Sequence, residues 1–129
     1  MDAIELAKQA AIAAHEKKGS RIMILDLRDM SDICDFQMIC SGTNTRQTQA
    51  IADNISARCK KTFGISPLAV EGKQGGFWVL LDYGSTIIHI FSGTLRDYYA
   101  IEELWPKAKV ITLSTESKAA TKPVQTERS

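Results

Sequence analysis

The segment between residues 35 and 71 contains a strand, a glycine turn, a long amphipathic helix and a second strand in succession. Apolar residues alternate along 35–41, which is typical of a β-strand. After the turn at 41–44, apolar residues recur at steps of four up to Phe63, and Gly64 follows as a helix-ending residue. The strand residues expected to share one face are Phe36, Met38 and Cys40. With a further strand near 68–71, the segment predicts a βαβ unit, in which a crossover helix covers a sheet.

The rest of the chain predicts further strands and helices around this unit. They are a helix over 2–18, strands over 21–27, 77–82, 86–91 and 110–113, and a short helix that Thr94 caps and that stops before Pro106. The strands at 77–82 and 86–91 are close enough to form a hairpin. The predicted fold class is therefore α/β or α+β, with a mixed sheet of about five strands flanked by helices. We expect one domain over 1–113 and a disordered polar tail over 114–129.

The charge of the chain is balanced. Sixteen Lys and Arg residues stand against fifteen Asp and Glu residues, for a net charge of +1. A protein that binds phosphate backbones is usually strongly basic. No basic run is longer than the pairs Lys17-Lys18 and Lys60-Lys61, so the sequence alone predicts no strong nucleic-acid binding. A nucleic-acid role would require the fold to segregate its charges.

The three cysteines and the N-terminal residues bear on the cellular compartment. Cys34, Cys40 and Cys59 are odd in number and lack CxxC spacing, which argues against a disulfide framework and a zinc site and predicts reduced thiols. The first residues are neither basic nor apolar enough for a signal peptide, and no run reaches the roughly 20 apolar residues that cross a bilayer. We therefore expect a cytoplasmic protein.

The turn before the long helix could also be interpreted as part of an enzyme's active site. Ser41 and Gly42 precede a helix N-terminus, where a nucleotidyltransferase would bind phosphates, and Glu71 and Asp82 are the nearest candidate acids. Such chemistry needs two or three clustered carboxylates for Mg²⁺, but no Asp-x-Asp or Asp-x-Glu pair follows. His89 is more typical of a hydrogen-bonded, half-buried histidine than of a catalytic base. We therefore predict a helix start here, with no catalytic or metal site and no cofactor.

Aromatic residues are frequent in the last third of the chain. Trp78, Leu80 and Asp82 are expected to share one face of their strand. On the last helix, Arg96, Tyr99 and Glu102 fall on successive turns of one face. Core packing explains such residues as well as an interface does, although Trp, Tyr and Arg are enriched where proteins bind each other.

Several of these segments together resemble one family, the ribosomal silencing factors or Iojap family. In the first half the segments are Asp26-Leu27-Arg28, Asp35-Phe36, 39–43, Arg46-Gln47 and 50–53. In the second half they are Val70-Glu71-Gly72, 78–84, 88–91 and 96–105. The resemblance covers about residues 3–108, and it rests on the order and spacing of the segments. Ser85 departs from it, since the family more often has an acid in this hairpin turn.

The resemblance implies a fold related to nucleotidyltransferases but without their catalytic acids, and a regulatory function without enzymatic activity. It also implies binding to ribosomal protein fourteen of the large subunit, on the face that meets the small subunit. Subunit joining is then blocked and translation is repressed, especially under nutrient limitation. Assistance to large-subunit maturation and a homodimer of the free protein are further implications.

The hypothesis for the binding site is that acidic and aromatic side chains contact a basic ribosomal surface. The predicted partner-binding residues are Trp78, Asp82, Arg96, Tyr99 and Glu102. Two alternatives stay open at this point. One is a divergent nucleotidyltransferase-fold enzyme or nucleotide-binding protein that uses Ser41, Gly42, Glu71 and Asp82. The other is an RNA-binding module, whose binding would depend steeply on salt.

Overall fold

The computed structural model describes residues 2–111, so the tail predicted over 114–129 lies outside the described residues. The elements are α1 (Ala3–Glu16), β1 (Ser20–Asp26), β2 (Phe36–Gly42), α2 (Thr45–Phe63), β3 (Ala69–Glu71), β4 (Trp78–Asp82), β5 (Thr86–Ser92), α3 (Leu95–Tyr99), the 3-10 helix η1 (Ile101–Leu104) and β6 (Lys109–Ile111). Within this part of the chain, no helix has both the length and the apolar character needed to cross a membrane.

Helix α2 begins and ends where its local sequence predicts. The Asn44 side chain accepts a hydrogen bond from the backbone N–H of Gln47 at 2.8 Å, which satisfies one free donor of the first turn. At the other end, Gly64 has φ +74° and its N–H bonds to the carbonyl of Lys60. Both ends are determined by residues within a few positions, so the sequence is sufficient to predict them.

The six strands form one mixed sheet in the order β3-β4-β5-β2-β1-β6. Only β2 and β5 pair in parallel, and the other neighbours are antiparallel. This confirms the predicted mixed sheet and the hairpin of β4 and β5. The relation to nucleotidyltransferases stays a prediction.

The predicted βαβ unit needs one correction, because its two strands are not neighbours. β3 runs in the same direction as β2, but β5 and β4 lie between them. β5 is apolar and largely buried on both faces, and such a strand takes a central position. β3 has only three residues, two of them exposed, and occupies the edge.

Helices α1 and α2 cover one face of the sheet. From β2, the predicted set Phe36, Met38 and Cys40 packs there with apolar residues of both helices, which confirms the predicted orientation of this strand. Ile39 and Phe91 face the opposite side, where Leu95, Ile101 and Trp105 pack over them. Because those covering residues come from short segments, β4 and the neighbouring part of β5 keep a partly uncovered face.

The end of the described chain differs from the predicted single helix. α3 has five residues and stops at Ala100, whose φ is +44°, before η1 begins. The Thr94 side chain makes no capping hydrogen bond, and Asp97 forms an ion pair with Arg21 at 2.9 Å instead. Arg96, Tyr99 and Glu102 therefore do not share one continuous helical face. The start of α3 is therefore held by a tertiary ion pair and not by the predicted Thr94 cap.

Candidate protein-binding face

The uncovered side of β4 and β5 is the candidate functional site, and we call it the open face. Its residues form three cross-strand pairs: Trp78 with Phe91, Leu80 with His89 and Asp82 with Ile87. Val79 and Leu81 of the same strand point to the other side, into the core below α1 and α2. Leu80, Asp82 and Ile87 remain partly exposed. The alternation of β4 predicted this division of its residues correctly.

An aromatic cluster occupies one end of the open face. The Trp78 ring lies 4.9 Å from Phe91, 4.7 Å from Tyr99 and 6.0 Å from His89, centroid to centroid. The indole N–H of Trp78 donates to Nδ1 of His89 at 3.1 Å. Tyr99 is 47% exposed and Tyr98 beside it is 76% exposed. A half-buried tryptophan with a satisfied donor and an exposed tyrosine next to it form a preorganised apolar surface.

The loop before β4 positions Trp78, and α2 holds that loop. The backbone N–H of Gly76 bonds to the carbonyl of Gly72 at 2.9 Å. From α2, the hydroxyl of Thr48 donates to the carbonyl of Gly76, and the amide of Gln49 donates to two other loop carbonyls at 2.8 and 3.0 Å. Sequence reasoning missed Thr48 and Gln49, because nothing in the local pattern indicates a contact with residues about 25 positions away.

The structure assigns Arg96 a different role from the predicted one. Its side chain is 2% exposed, so the guanidinium is not an exposed anchor for a partner. Nη1 donates to the carbonyl of Arg21, and Nε donates to the Glu102 carboxylate at 3.3 Å. Arg96 thus links the segment of α3 and η1 to β1. Since Tyr99 belongs to α3, this link also positions Tyr99. Glu102 is the ion-pair partner of Arg96 within the protein.

The remaining predicted residues separate along the open face. Trp78 and Tyr99 are in contact at one end. Asp82 lies at the other end of β4, where its carboxylate accepts from the backbone N–H of Gly84 at 2.8 Å and remains partly exposed. Trp78, Asp82 and Tyr99 therefore stay candidates for direct contact with a partner.

The residues of the nucleotidyltransferase alternative do not come together. In the sheet, Ser41 pairs with Phe91, which pairs with Trp78, whereas Asp82 pairs with Ile87. Phe91 and Ile87 are four residues apart along β5, so Ser41 and Asp82 are about 13 Å apart along the strand direction. Glu71 lies on the edge strand β3, three strands from Gly42. Among residues 2–111, no group of three His, Cys, Asp or Glu side chains could hold a metal ion.

His89 is the titratable group of the aromatic cluster. It is 6% exposed, and its Nε2 atom is buried without a hydrogen-bond partner. Burial lowers the pKa of His89 to about 4, because desolvation disfavours the charged imidazolium. The ring is therefore neutral at physiological pH, which allows Nδ1 to accept from Trp78.

We predict that acidification destabilises the fold through His89. The unfolded state binds the proton near its ordinary pKa of about 6.5, so stability is fully present above that value and is lost as the pH falls toward 4. Between pH 7 and pH 5 the free energy of unfolding should fall by about 2 kcal/mol. Urea unfolding at both pH values checks this. This decrease in the free energy of unfolding should persist in His15→Gln, which replaces an exposed histidine, and should disappear in His89→Gln. An undiminished decrease in His89→Gln would show that His89 is not its cause.

Fold and site together define a small α+β protein whose described residues assemble a partly exposed aromatic cluster on one face of the sheet. Comparison with known proteins then specifies the family. The family model described as "Ribosomal silencing factor during starvation" matches residues 1–129. The chain belongs to the family of ribosomal silencing factors, which are regulatory and non-enzymatic proteins. This confirms the resemblance found in the sequence.

Individual relatives and a solved structure agree with the assignment to this family. The chain is 41% identical to a ribosomal silencing factor of Haemophilus influenzae over 88 residues, which are 68% of this chain and 85% of the relative. It is 33% identical over 73 residues, 55% of this chain and 32% of the relative, to "Mitochondrial assembly of ribosomal large subunit protein 1" of Mus musculus. A crystal structure of a Chromobacterium violaceum protein superimposes with a TM-score of 0.79 at 31% identity, covering 96% of this chain and 99% of that one.

Proposed function

We propose that the chain binds ribosomal protein fourteen of the large ribosomal subunit through the open face and sterically blocks joining of the small subunit. It represses translation in the cytoplasm, especially under nutrient limitation, and assists maturation of the large subunit. The proposal combines the family with the features of the open face. The mouse relative, whose name refers to assembly of the large subunit, supports the choice of subunit.

The aromatic cluster is the observation that carries this proposal. Trp78 is held by His89 and packed against Phe91 and Tyr99, so little conformational entropy is lost when a partner covers it. Binding energy in protein interfaces concentrates in such packed aromatic residues. The cluster also lies on the one side of β4 and β5 that α1 and α2 leave free.

The charge around the open face supports a basic protein partner. Asp82 is the acidic residue of the open face, and its side chain is partly exposed there. Outside α1 and α2, the segments 20–44 and 64–111 contain nine acidic residues and six basic ones. Carboxylates pair with Lys and Arg in charge-assisted hydrogen bonds, which suits the basic surface of a ribosomal protein.

Steric competition follows mass action. A factor and a small subunit that need the same patch cannot bind together, so the factor lowers the pool of large subunits available for joining. A contact of about 800 Å² on each partner is sufficient for specific binding. The homodimer of the free protein is part of the proposal, since Leu68 and Val70 expose 77% and 46% of their surfaces at the edge strand β3.

We predict that Tyr99→Ala weakens binding to isolated large subunits about tenfold, because loss of an interface aromatic costs about 1–2 kcal/mol or more. Co-sedimentation through a sucrose gradient measures the affinity, and a subunit-joining assay measures the block. Phe77→Ala is the matched control, since Phe77 is a 62% exposed aromatic residue next to Trp78 that is not among the stacked rings of the aromatic cluster.

Two outcomes would count against different parts of the proposal. If the parent protein stays at the top of the gradient, binding to the large subunit is wrong. If folded Tyr99→Ala binds and inhibits as well as Phe77→Ala and the parent, the open face is not the contact site. Circular dichroism of the variants separates either outcome from unfolding.

A further inference from the structure

The fold segregates the charges that are balanced along the sequence. The helical layer, residues 2–18 and 45–63, contains seven basic residues and four acidic ones, whereas the rest of the described chain contains six basic and nine acidic ones. The basic residues of this layer are Lys8, Lys17, Lys18, Arg46, Arg58, Lys60 and Lys61. The helical layer therefore carries a net charge of +3, and the rest of the described chain carries a net charge of −3.

Ion pairs neutralise two of the four acids of the helical layer. Glu16 pairs with Arg58 at 2.8 Å, and Asp53 pairs with Lys73 of the loop before β4. The other acids, Asp2 and Glu5, lie at the start of α1, about 20 Å along the helix axis from Lys17. That distance exceeds the Debye length of about 8 Å at physiological salt, so these two acids do not screen the opposite end of the layer.

The basic residues at that end belong to one surface patch. The side-chain amide of Gln47 donates to the carbonyls of both Lys17 and Lys18 at 3.0 Å, which joins the end of α1 to the first turn of α2. Arg46 precedes Gln47 and is exposed, as are both lysines. Within the described residues, none of these three cations forms an ion pair. Lys60 and Lys61 lie at the other end of α2, which antiparallel packing places beside the start of α1 and its acids Asp2 and Glu5.

The same surface lacks the apolar residues that a protein partner would need. The exposed large hydrophobic residues are Met30, Ile33, Leu68, Val70, Phe77, Tyr98, Tyr99 and Leu104, and all of them lie outside α1 and α2. Binding to an acidic protein depends on such packed anchors as well as on charge. Contact with a phosphate backbone needs positive charges alone, because affinity comes from the release of counterions.

We propose that the helical layer is a second contact surface, which binds the phosphate backbone of RNA while the open face binds protein. The surface consists of Lys17, Lys18 and Arg46, where the end of α1 meets the first turn of α2. A factor with an aromatic open face and a basic helical layer fits between a basic protein and an adjacent RNA segment. This contact is independent of Trp78 and Tyr99.

The test uses the whole chain and deproteinised large-subunit ribosomal RNA as the probe, with fluorescence anisotropy measured over a series of KCl concentrations. Three double variants remove the same charge from different places: Lys17→Gln with Lys18→Gln, Lys60→Gln with Lys61→Gln, and Lys107→Gln with Lys109→Gln. The last pair is the control, because both lysines are exposed and lie outside the helical layer. A poly-glutamate peptide serves as an acidic protein-like probe.

We expect the parent to bind the RNA with an affinity that falls steeply with salt. The Lys17 and Lys18 pair should reduce the slope of log affinity against log salt concentration by about 1.5, since each phosphate contact contributes about 0.7–0.9. The Lys60 and Lys61 pair should reduce it less, because Asp2 and Glu5 lie at that end of the helical layer. The control pair and Tyr99→Ala should leave the slope unchanged. An equal decrease of the slope in all three double variants would show that only net charge matters, and would overturn the proposal. Salt-independent binding, no binding, or tighter binding of poly-glutamate than of RNA would also overturn it.

Discussion

Gly72→Ala is expected to destabilise the protein by about 3 kcal/mol or more. Gly72 has φ +76°, and a Cβ atom built on it would overlap the carbonyl oxygen of Trp78. The left-handed conformation alone costs a residue with a side chain about 1–2 kcal/mol. The overlap adds to this cost, because the atom in the way belongs to the backbone of β4 and cannot rotate aside. Relief requires Trp78 to move, which disturbs its pairing with Phe91.

Gly64→Ala separates the two contributions. Gly64 has a nearly equal φ of +74°, but nothing lies within 4 Å of an added Cβ. We therefore expect a loss of only about 1 kcal/mol from backbone strain. Urea unfolding of both variants, followed by far-ultraviolet circular dichroism, measures the difference. Equal losses in the two variants would show that the loop before β4 adapts freely and does not position Trp78 rigidly.

Arg96→Leu is expected to cost about 3 kcal/mol, the second large effect. The substitution keeps an apolar stem but removes the donors to the Arg21 carbonyl and to Glu102. An oxygen of Glu102 is already buried without a partner, so loss of the guanidinium would leave the carboxylate with no compensating charge. Removing one member of a buried pair costs about 3–5 kcal/mol, and partial exposure of Glu102 places the expectation at the lower end.

Arg21→Leu is the matched control for Arg96. Arg21 also links β1 to α3, through an ion pair with Asp97 at 2.9 Å, but the two side chains are 49% and 64% exposed. Exposed ion pairs contribute about 0–1 kcal/mol, so the loss should stay within that range. Thermal or urea unfolding of both variants checks the contrast. If Arg96→Leu were as mild as Arg21→Leu, the buried pair would not be what holds α3 and η1 against β1.

The parts of the site that sequence analysis predicted correctly depend on short-range patterns. Alternation along β4 is sufficient to place Trp78, Leu80 and Asp82 on one side, because successive side chains of a strand point in opposite directions. The sequence could not distinguish the exposed Tyr99 from the buried Arg96 three positions earlier. That difference arises from Arg21 and Met23 of β1, more than 70 positions away, which accept hydrogen bonds from the Arg96 side chain.

The limits of α2, the alternation of β2 and the hairpin of β4 and β5 follow from the chain itself, since the hydrogen bonds and packing that specify them join residues close in sequence. The order of the strands, the separation of Ser41 from Asp82 and the burial of Arg96 depend on pairing between distant segments. The net positive charge of the helical layer depends on tertiary structure as well, since the net charge of +1 does not indicate it and it arises when α1 and α2 pack together on one face.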